Sequence, residues 1–341
     1  MNLAGLGIVF PGGAGVPALR AALSAGRPLT GETLVKEQVP VLKVPAAALT
    51  GNPVLAPARR ADRFCKMTLL AATEALAGSA VPPERIGIIL ATAFGPHGTV
   101  FKFVNDLLDF GDEQASPTVF SQSVHAAAAS MVAAAAHLHG PALTVADLVF
   151  PFEEAMALAE AWLAADRCDA VLVGAVDEIS DVLAHVVRRK WAVAADGIAR
   201  PAAAEPPAYV PGEGAVFVRL ERGNGPQLAV ADKPAAAAAA HLFNAGALGG
   251  DDAALRRLAT PSVPAQTFVS LLGHTRIGGA FHLAVAGLMR QDHRFFPDML
   301  PADQTGLSGG GADLPGGPIQ VISACGSRCR AITLHANGER G

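Results

Sequence analysis

Short apolar runs alternate with amphipathic stretches along most of the chain, and this alternation is typical of an α/β protein. The apolar runs that predict buried strands in the first half span residues 3–10, 86–92, 143–146, 170–176 and 215–221. Helical periodicity covers residues 66–78, 123–139 and 153–165, whereas residues 31–60 contain prolines and are interpreted as irregular. Because helices and strands follow one another in turn, we expect right-handed crossovers and a mainly parallel sheet.

The second half of the chain repeats this order of elements in a shorter form. Strands are predicted at residues 227–231, 319–323 and 331–335, and a helix at residues 277–290. The alanine tract at 235–240 runs into residues 241–243, and we interpret it as a helix rather than as disorder. Two similar sets of elements on either side of a linker at 222–226 indicate a duplicated fold, which we divide into residues 1–223 and 224–341.

The composition limits the classes of function. Apolar residues make up 51% of the 341 residues and charged residues 16%, so the chain can bury an extensive core. The net charge is −4 and residues 188–190 form the only notable basic run, which argues against a nucleic-acid partner. The N-terminus lacks a signal-peptide pattern, and the alanine-rich stretch at 126–136 is too short to cross a membrane. Four cysteines without Cys-x-x-Cys spacing favour free thiols, no metal site and a cytoplasmic protein.

Four segments, taken in order along the chain, carry the pattern of one enzyme family. They are Gly-Pro-Ala-Leu-Thr-Val at 140–145, Cys-Asp-Ala-Val-Leu-Val-Gly-Ala at 168–175, Gly-His at 273–274 before a helix, and Cys-Gly-Ser-Arg-Cys-Arg at 325–330. Together they resemble the β-ketoacyl synthases of the thiolase-like superfamily. The resemblance implies an α/β fold with αβαβα layers in two related halves, no cofactor, and a nucleophilic cysteine where a strand turns into a helix.

The residues that this family uses for acyl transfer are largely replaced. By resemblance the cysteine position falls at Val149, and neither Val149 nor its neighbour Phe150 can attack a thioester. His274 matches the family's histidine at a helix start, but Val269 stands where the family usually carries a lysine. The family's His-Gly-Thr-Gly-Thr loop is absent, and residues 244–250 occupy its region. We therefore expect no intact catalytic set, with Val149, Phe150 and His274 as candidate substrate-binding residues.

Residues 116–129 resemble one particular subgroup of this family. They read Ser-Pro-Thr-Val-Phe-Ser-Gln-Ser-Val-His-Ala-Ala-Ala-Ala, similar to a run in chain-length-factor-like subunits of aryl-polyene and related type II polyketide systems. Ala126 departs from that run, which usually has asparagine there. Such subunits lack the cysteine and pair with an active ketosynthase. The resemblance implies a non-catalytic subunit of a heterodimer, an acyl carrier protein that engages the partner, and an interface position for His125.

Two alternatives stay open from the residues alone. In the first, the protein is an active acyltransferase or condensing enzyme with a displaced nucleophile, Cys325 or Cys65. In the second, it is a homodimeric binding or scaffold protein. Glu153 and Glu154, in the first turn of a helix, are explained by the helix dipole, and residues 177–178 are interpreted as a polar turn.

Overall fold

The computed structural model describes residues 1–34, 36–201, 208–223, 225–235, 237–246, 255, 257–258, 262–307, 309, 311 and 313–336. Asn224 at the expected domain boundary lies outside these residues, and so does the 247–250 part of the segment that replaces the histidine loop.

The first half of the chain supplies one sheet and the helices that cover it. Its elements are β1 (Asn2–Phe10), β2 (Gly13–Ala14), α1 (Val16–Ala25), β3 (Glu32–Leu34), β4 (Val39–Val41), α2 (Arg63–Leu76), β5 (Ile86–Thr92), α3 (His97–Phe110), α4 (Pro117–Ser123), α5 (Ala127–Ala135), β6 (Ala142–Ala146), α6 (Pro151–Ala164), β7 (Ala170–Asp177), α7 (Asp181–Lys190) and β8 (Gly214–Glu221). Short 3-10 helices lie at Ala46–Leu49, Pro53–Ala58, Pro83–Arg85 and Asp112–Gln114. The region interpreted as irregular thus contains the β3–β4 hairpin and two of these 3-10 helices.

The sheet of the first half is mixed, so the expectation of a mainly parallel sheet is wrong. Its order is β2-β1-β8-β7-β5-β6. β5 runs parallel to β6 and β7, whereas β8 is antiparallel to both β7 and β1. The connection from β7 to β8 explains the difference. After α7 the chain returns to the end of the sheet at which β7 stops. β8 begins there and therefore runs antiparallel to β7.

The second half forms a smaller sheet with the same plan. Its elements are β9 (Leu228–Ala231), β10 (Ala240–Phe243), β11 (Ala265–Gln266), α8 (Val269–Leu272), α9 (Gly278–Asp292), α10 (Ala302–Thr305), β12 (Ile319–Cys325) and β13 (Arg328–Leu334). The order β9-β13-β12-β10-β11 matches β1-β8-β7-β5-β6, with two antiparallel pairings followed by two parallel ones in each sheet. The two halves are therefore related. The division at residues 223 and 224 stays a proposal.

Helices and sheets stack in layers. α6 and α9 lie between the two sheets and share one core, in which Phe152 and Phe281 are fully buried. α2 and α5 cover the other face of the first sheet. Leu255 and Leu307 pack on the other face of the second sheet with Phe243. Among the described residues, no helix is both long enough and apolar enough to span a membrane.

The long helix predicted for residues 123–139 is divided in the structure. α4 ends at Ser123, Val124 is extended, and α5 spans only Ala127–Ala135. Ala126 has no side chain that can cap α5, and His137 adopts a left-handed φ of 54° after the helix. High alanine content favours helix, but it does not determine where one helix stops and another begins.

The alanine tract at 235–240 is the second element that the sequence misassigns. Residues 240–243 form strand β10 instead of a helix, paired in parallel with β11 and β12. Residues 237–239 have no regular structure, and Ala236 is outside the described residues. Because all four residues of β10 are buried in the second sheet, tertiary pairing outweighs the helix preference of the alanines.

Candidate functional site

The turn from β6 to α6 is where the family resemblance expects a nucleophile. The backbone N–H of Asp147 donates to the Thr92 oxygen at 3.2 Å, and the Asp147 carboxylate accepts the Val149 N–H at 2.8 Å. Pro151 occupies the first turn of α6, where its missing N–H costs nothing. These contacts give the turn a defined shape. However, Val149 presents only a half-buried aliphatic side chain at its end.

Phe150 lies in the joint between the two halves. Its side chain is 1% exposed, and the guanidinium groups of Arg328 and Arg330 lie 5.3 and 5.8 Å from its ring centroid. Arg330 also donates to the Glu154 carboxylate at 2.7 Å. The start of α6 is thereby attached to β13 of the second half by cation–π and ionic contacts. Phe150 therefore packs at the contact between the two halves.

Glu153 is a buried acid that the sequence interpretation missed. It is 2% exposed and accepts a hydrogen bond from the Ser323 hydroxyl at 2.6 Å, while the Asn244 amide donates to that hydroxyl at 3.1 Å. Burial raises the pKa of Glu153, partly offset by the hydrogen bond from Ser323. The helix dipole therefore does not account for Glu153. The sequence did contain a signal for this burial. Glu153 lies three residues before the apolar Met156 and therefore on the same, buried face of α6.

His274 lies before α9 in a fully buried position. Its Nδ1 is 3.1 Å from both the backbone nitrogen and the backbone oxygen of Val210, and its ring centroid is 4.7 Å from that of Tyr209. Burial lowers the pKa of His274 to about 4, against the smaller opposing effect of the carbonyls of Val210 and Arg200. The imidazole is therefore neutral near pH 7. Val269, in place of the family's lysine, is 2% exposed among other apolar side chains.

The structure does not join the histidine to the turn. Within the described residues, no hydrogen bond or ring contact connects His274 with Val149 or Phe150. Two cavities of about 580 and 690 Å³ border the described residues, and the walls of neither include these three side chains. The expected site residues thus lie at corresponding helix starts, and neither of these two cavities connects them.

Comparisons with known proteins decide the family. The family described as "Beta-ketoacyl synthase, N-terminal domain" matches residues 2–224, which is well over half of the chain. The chain belongs to the β-ketoacyl synthase family. No curated protein matched the sequence.

Similar solved structures of ketosynthases cover nearly the whole chain. A β-ketoacyl synthase from Burkholderia phymatum STM815 has a TM-score of 0.76 at 17% identity, covering 98% of both chains. The ketosynthase ApeO in complex with its chain length factor ApeC from Xenorhabdus doucetiae has a TM-score of 0.74 at 15% identity, covering 98% of this chain and 97% of that one. A type II polyketide acyl-carrier protein in complex with its ketosynthase, AntDE:AntF, gives 0.74 at 15%, covering 98% of both. These likenesses show the thiolase-like αβαβα fold of two related halves.

Cys65 and Cys168 of this ketosynthase-like chain are buried thiols with raised pKa values, and Cys325 has no hydrogen-bonded base among the described residues. Cys65 is 1% exposed on α2, and burial together with the nearby Asp62 carboxylate raises its pKa. Cys168 is buried before β7, and burial raises its pKa as well. Cys325 is half-buried at the end of β12, opposite Arg328. In the described part of the chain, no histidine or carboxylate is hydrogen-bonded to Cys325, and no His, Cys, Asp and Glu cluster fit for a metal occurs.

Asp177 and Glu178, at the end of β7, are buried rather than exposed in a polar turn. Asp177 accepts hydrogen bonds from the Thr92 hydroxyl and the Ala93 N–H, and burial raises its pKa to about 6. Glu178 accepts the Gly98 N–H at 2.9 Å, and burial raises its pKa to about 8. The sequence interpretation was wrong because peptide N–H groups of the loop before α3 and of its first turn donate hydrogen bonds to these buried acids.

An exposed apolar surface is made up of side chains on α3, on α4, on the edge strand β6 and in the residues that follow α4 and β6. It includes the side chains of Phe101, Val104, Leu108, Phe110, Phe120, Val124, Leu143 and Leu148, and we call it the α3–β6 surface. The rings of Phe103 and Phe120 join α3 to α4 at 5.4 Å. The Thr144 hydroxyl of β6 donates to the His125 carbonyl at 3.4 Å, so His125, itself exposed, connects α4 to the edge strand.

Proposed function

We propose that this protein is a non-catalytic, chain-length-factor-like member of the ketosynthase family. It pairs with an active β-ketoacyl-ACP synthase and serves chain elongation of the polyketide or fatty-acid type. The observation that carries this proposal is the β6–α6 turn, which has Val149 and the buried Phe150 where the family's nucleophile is expected.

The chemistry of the family cannot run on these groups. Thioester exchange needs a thiolate, whose pKa a helix N-terminus lowers. Val149 provides no thiol, and the ring of Phe150 is held between the two halves by Arg328 and Arg330. A neutral His274 bonded to backbone can still donate a hydrogen bond, but it has no nucleophile to serve. In this proposal Val149, Phe150 and His274 shape an acyl-binding wall rather than catalyse.

The α3–β6 surface supports the pairing. β6 is an edge strand of the first sheet, and its residues are exposed or half-buried on both faces. An open strand edge beside exposed apolar side chains is a surface that proteins normally cover. A second ketosynthase-like chain is the partner that we propose, and ApeO in complex with its chain length factor ApeC is a pairing of this kind. His125 then lies at the interface.

The acyl chain in this proposal is carried by an acyl carrier protein and attached to the partner's cysteine. No cofactor is required, because the condensing reaction of the family uses protein side chains. The proposed location is the cytoplasm, where thiols persist, and all four cysteines of this chain are free. Among the described residues, no contact of Cys65 or Cys325 favours the alternative of a displaced nucleophile.

Co-expression with an active β-ketoacyl-ACP synthase from the same organism tests the proposal, with size-exclusion chromatography and native mass determination as the measurements. We expect a one-to-one heterodimer. Leu143→Arg, on the open edge of β6, should abolish it because an arginine would be buried against the partner. Ala229→Arg, on the exposed edge strand β9 of the other sheet, is the matched control and should leave it intact. A failure to form any heterodimer, or equal effects of the two variants, would overturn the proposal.

A further inference from the structure

Residues 97–148, the segment that supplies the α3–β6 surface, carry a net negative charge. Residues 97–148 contain five carboxylates and one lysine, which gives this segment a net charge of −4 with histidines neutral. The rest of the chain balances 25 basic side chains against 25 carboxylates, so the segment accounts for the whole net charge of −4. The same segment supplies all eight apolar side chains of the α3–β6 surface.

Three of the five carboxylates have neither an ion pair nor a side-chain hydrogen bond among the described residues. Asp106 is paired with Lys102 at 2.6 Å, and Asp147 accepts the Val149 N–H. Asp109, Asp112 and Glu113 are exposed, and none of them has an ion-pair partner within the described ranges. We call these three residues the acidic rim.

The acidic rim adjoins the apolar part of the surface. Asp109 lies between Leu108 and Phe110, which are 78% and 63% exposed, and Asp112 and Glu113 follow immediately in a 3-10 helix. A partner that covers Leu108 and Phe110 must therefore bring its own surface to within a few ångströms of the rim. At that range salt screens charges incompletely, because the screening length is about 8 Å at physiological ionic strength.

Symmetry makes the rim selective. Two copies of one chain that meet across a twofold axis place the same patch against itself, so the segment of net charge −4 in one copy would face the same segment in the other. Like charges at an interface oppose association with the wrong partner. Opposite charges accelerate association with the right partner and favour the complex. The apolar side chains provide contact area for either pairing, and the rim distinguishes the two.

We propose that the α3–β6 surface takes a ketosynthase-fold partner whose facing surface is basic, and that the acidic rim opposes pairing of two copies of this chain. This inference deepens the proposed function, because it rests on a heterodimer and specifies the charge of the partner. It also states why the homodimeric alternative is disfavoured.

The self-pairing half of the inference is tested on this chain alone by sedimentation equilibrium. The triple variant D109N/D112N/E113Q should self-associate about tenfold more tightly than the wild type at about 50 mM NaCl, and salt at about 500 mM should reduce this difference. The control E32Q/E84Q/E160Q removes three exposed carboxylates elsewhere and should behave as the wild type. If the rim variant self-associates no more than the wild type, the inference is overturned.

The partner half is tested on the complex with the co-expressed ketosynthase, by titration at the same two salt concentrations. The dissociation constant of the wild type should rise about tenfold or more with salt, and the rim variant should bind about tenfold more weakly at low salt. If the heterodimer forms but its dissociation constant changes neither with salt nor in the rim variant, the inference is overturned while the proposed function stands. Absence of any heterodimer overturns the proposed function, and the self-association result still decides whether the rim opposes self-pairing.

Discussion

Replacement of Glu178 by glutamine should change how the stability of the protein depends on pH. The Glu178 side chain is 5% exposed and accepts the Gly98 N–H at the start of α3, and burial raises its pKa from 4.5 to about 8. The folded state therefore holds the proton more tightly than the unfolded state. The stabilisation is complete below pH about 4.5 and is lost as the pH rises towards about 8. Glutamine keeps the acceptor oxygen without a proton to lose.

The size of the effect follows from the shift. A difference of about 3.5 pH units at about 1.4 kcal/mol per unit corresponds to a loss of up to about 5 kcal/mol in the wild type between these limits. Glu178→Gln should therefore lie within about 1 kcal/mol of the wild type near pH 5 and exceed its stability by several kcal/mol, at most about 5, near pH 8.5. Asp177 is present in both proteins, so its own titration cancels in the comparison.

Urea unfolding followed by circular dichroism, at intervals between about pH 5 and about pH 8.5, measures this difference. Glu160→Gln, on the exposed side of α6, is the control and should follow the wild type throughout. Parallel pH profiles for the wild type and Glu178→Gln would show instead that burial of this acid does not couple protonation to folding.

Three further predictions concern the altered site. Phe150→Ala should lower the free energy of unfolding by about 3–5 kcal/mol, because a fully buried ring and two cation–π contacts are lost; a loss below about 1 kcal/mol in urea unfolding would contradict its packing role. Val149→Cys should supply a thiol without restoring condensation, because Phe150 remains between the halves. Carbon–carbon bond formation from acyl and malonyl thioesters, assayed by product mass without a partner, would contradict this. A thiol reagent should modify the half-exposed Cys325 in the native protein and the buried Cys65 only in urea; equal native rates at the two thiols would contradict the burial argument.

The sequence predicted the strands and helices well where apolar runs were bounded by turn residues. Strand β7 and helix α6 lie within two residues of their predicted bounds. The prediction was wrong where alanine made the sequence ambiguous. The tract before β10 and the break between α4 and α5 depend on which partner strand or helix is present, and local composition does not contain that information.

The candidate site was predictable only in its position along the chain. The order of motifs located Val149 and His274, and the structure places them before the paired central helices α6 and α9. The burial of Glu153 and Glu178 was missed because isolated carboxylates normally lie in water. Their burial depends on Ser323 in the other half and on the Gly98 amide, which are brought together only by the tertiary fold.

The central claim is that this chain shapes a partner's site and carries no acyl group itself. Intact-mass analysis of the co-expressed complex after incubation with an acyl thioester tests it most directly. We expect the acyl mass on the ketosynthase subunit and the unmodified mass on this chain. An acyl adduct on this chain that is lost in Cys325→Ser or Cys65→Ser would instead establish a displaced nucleophile.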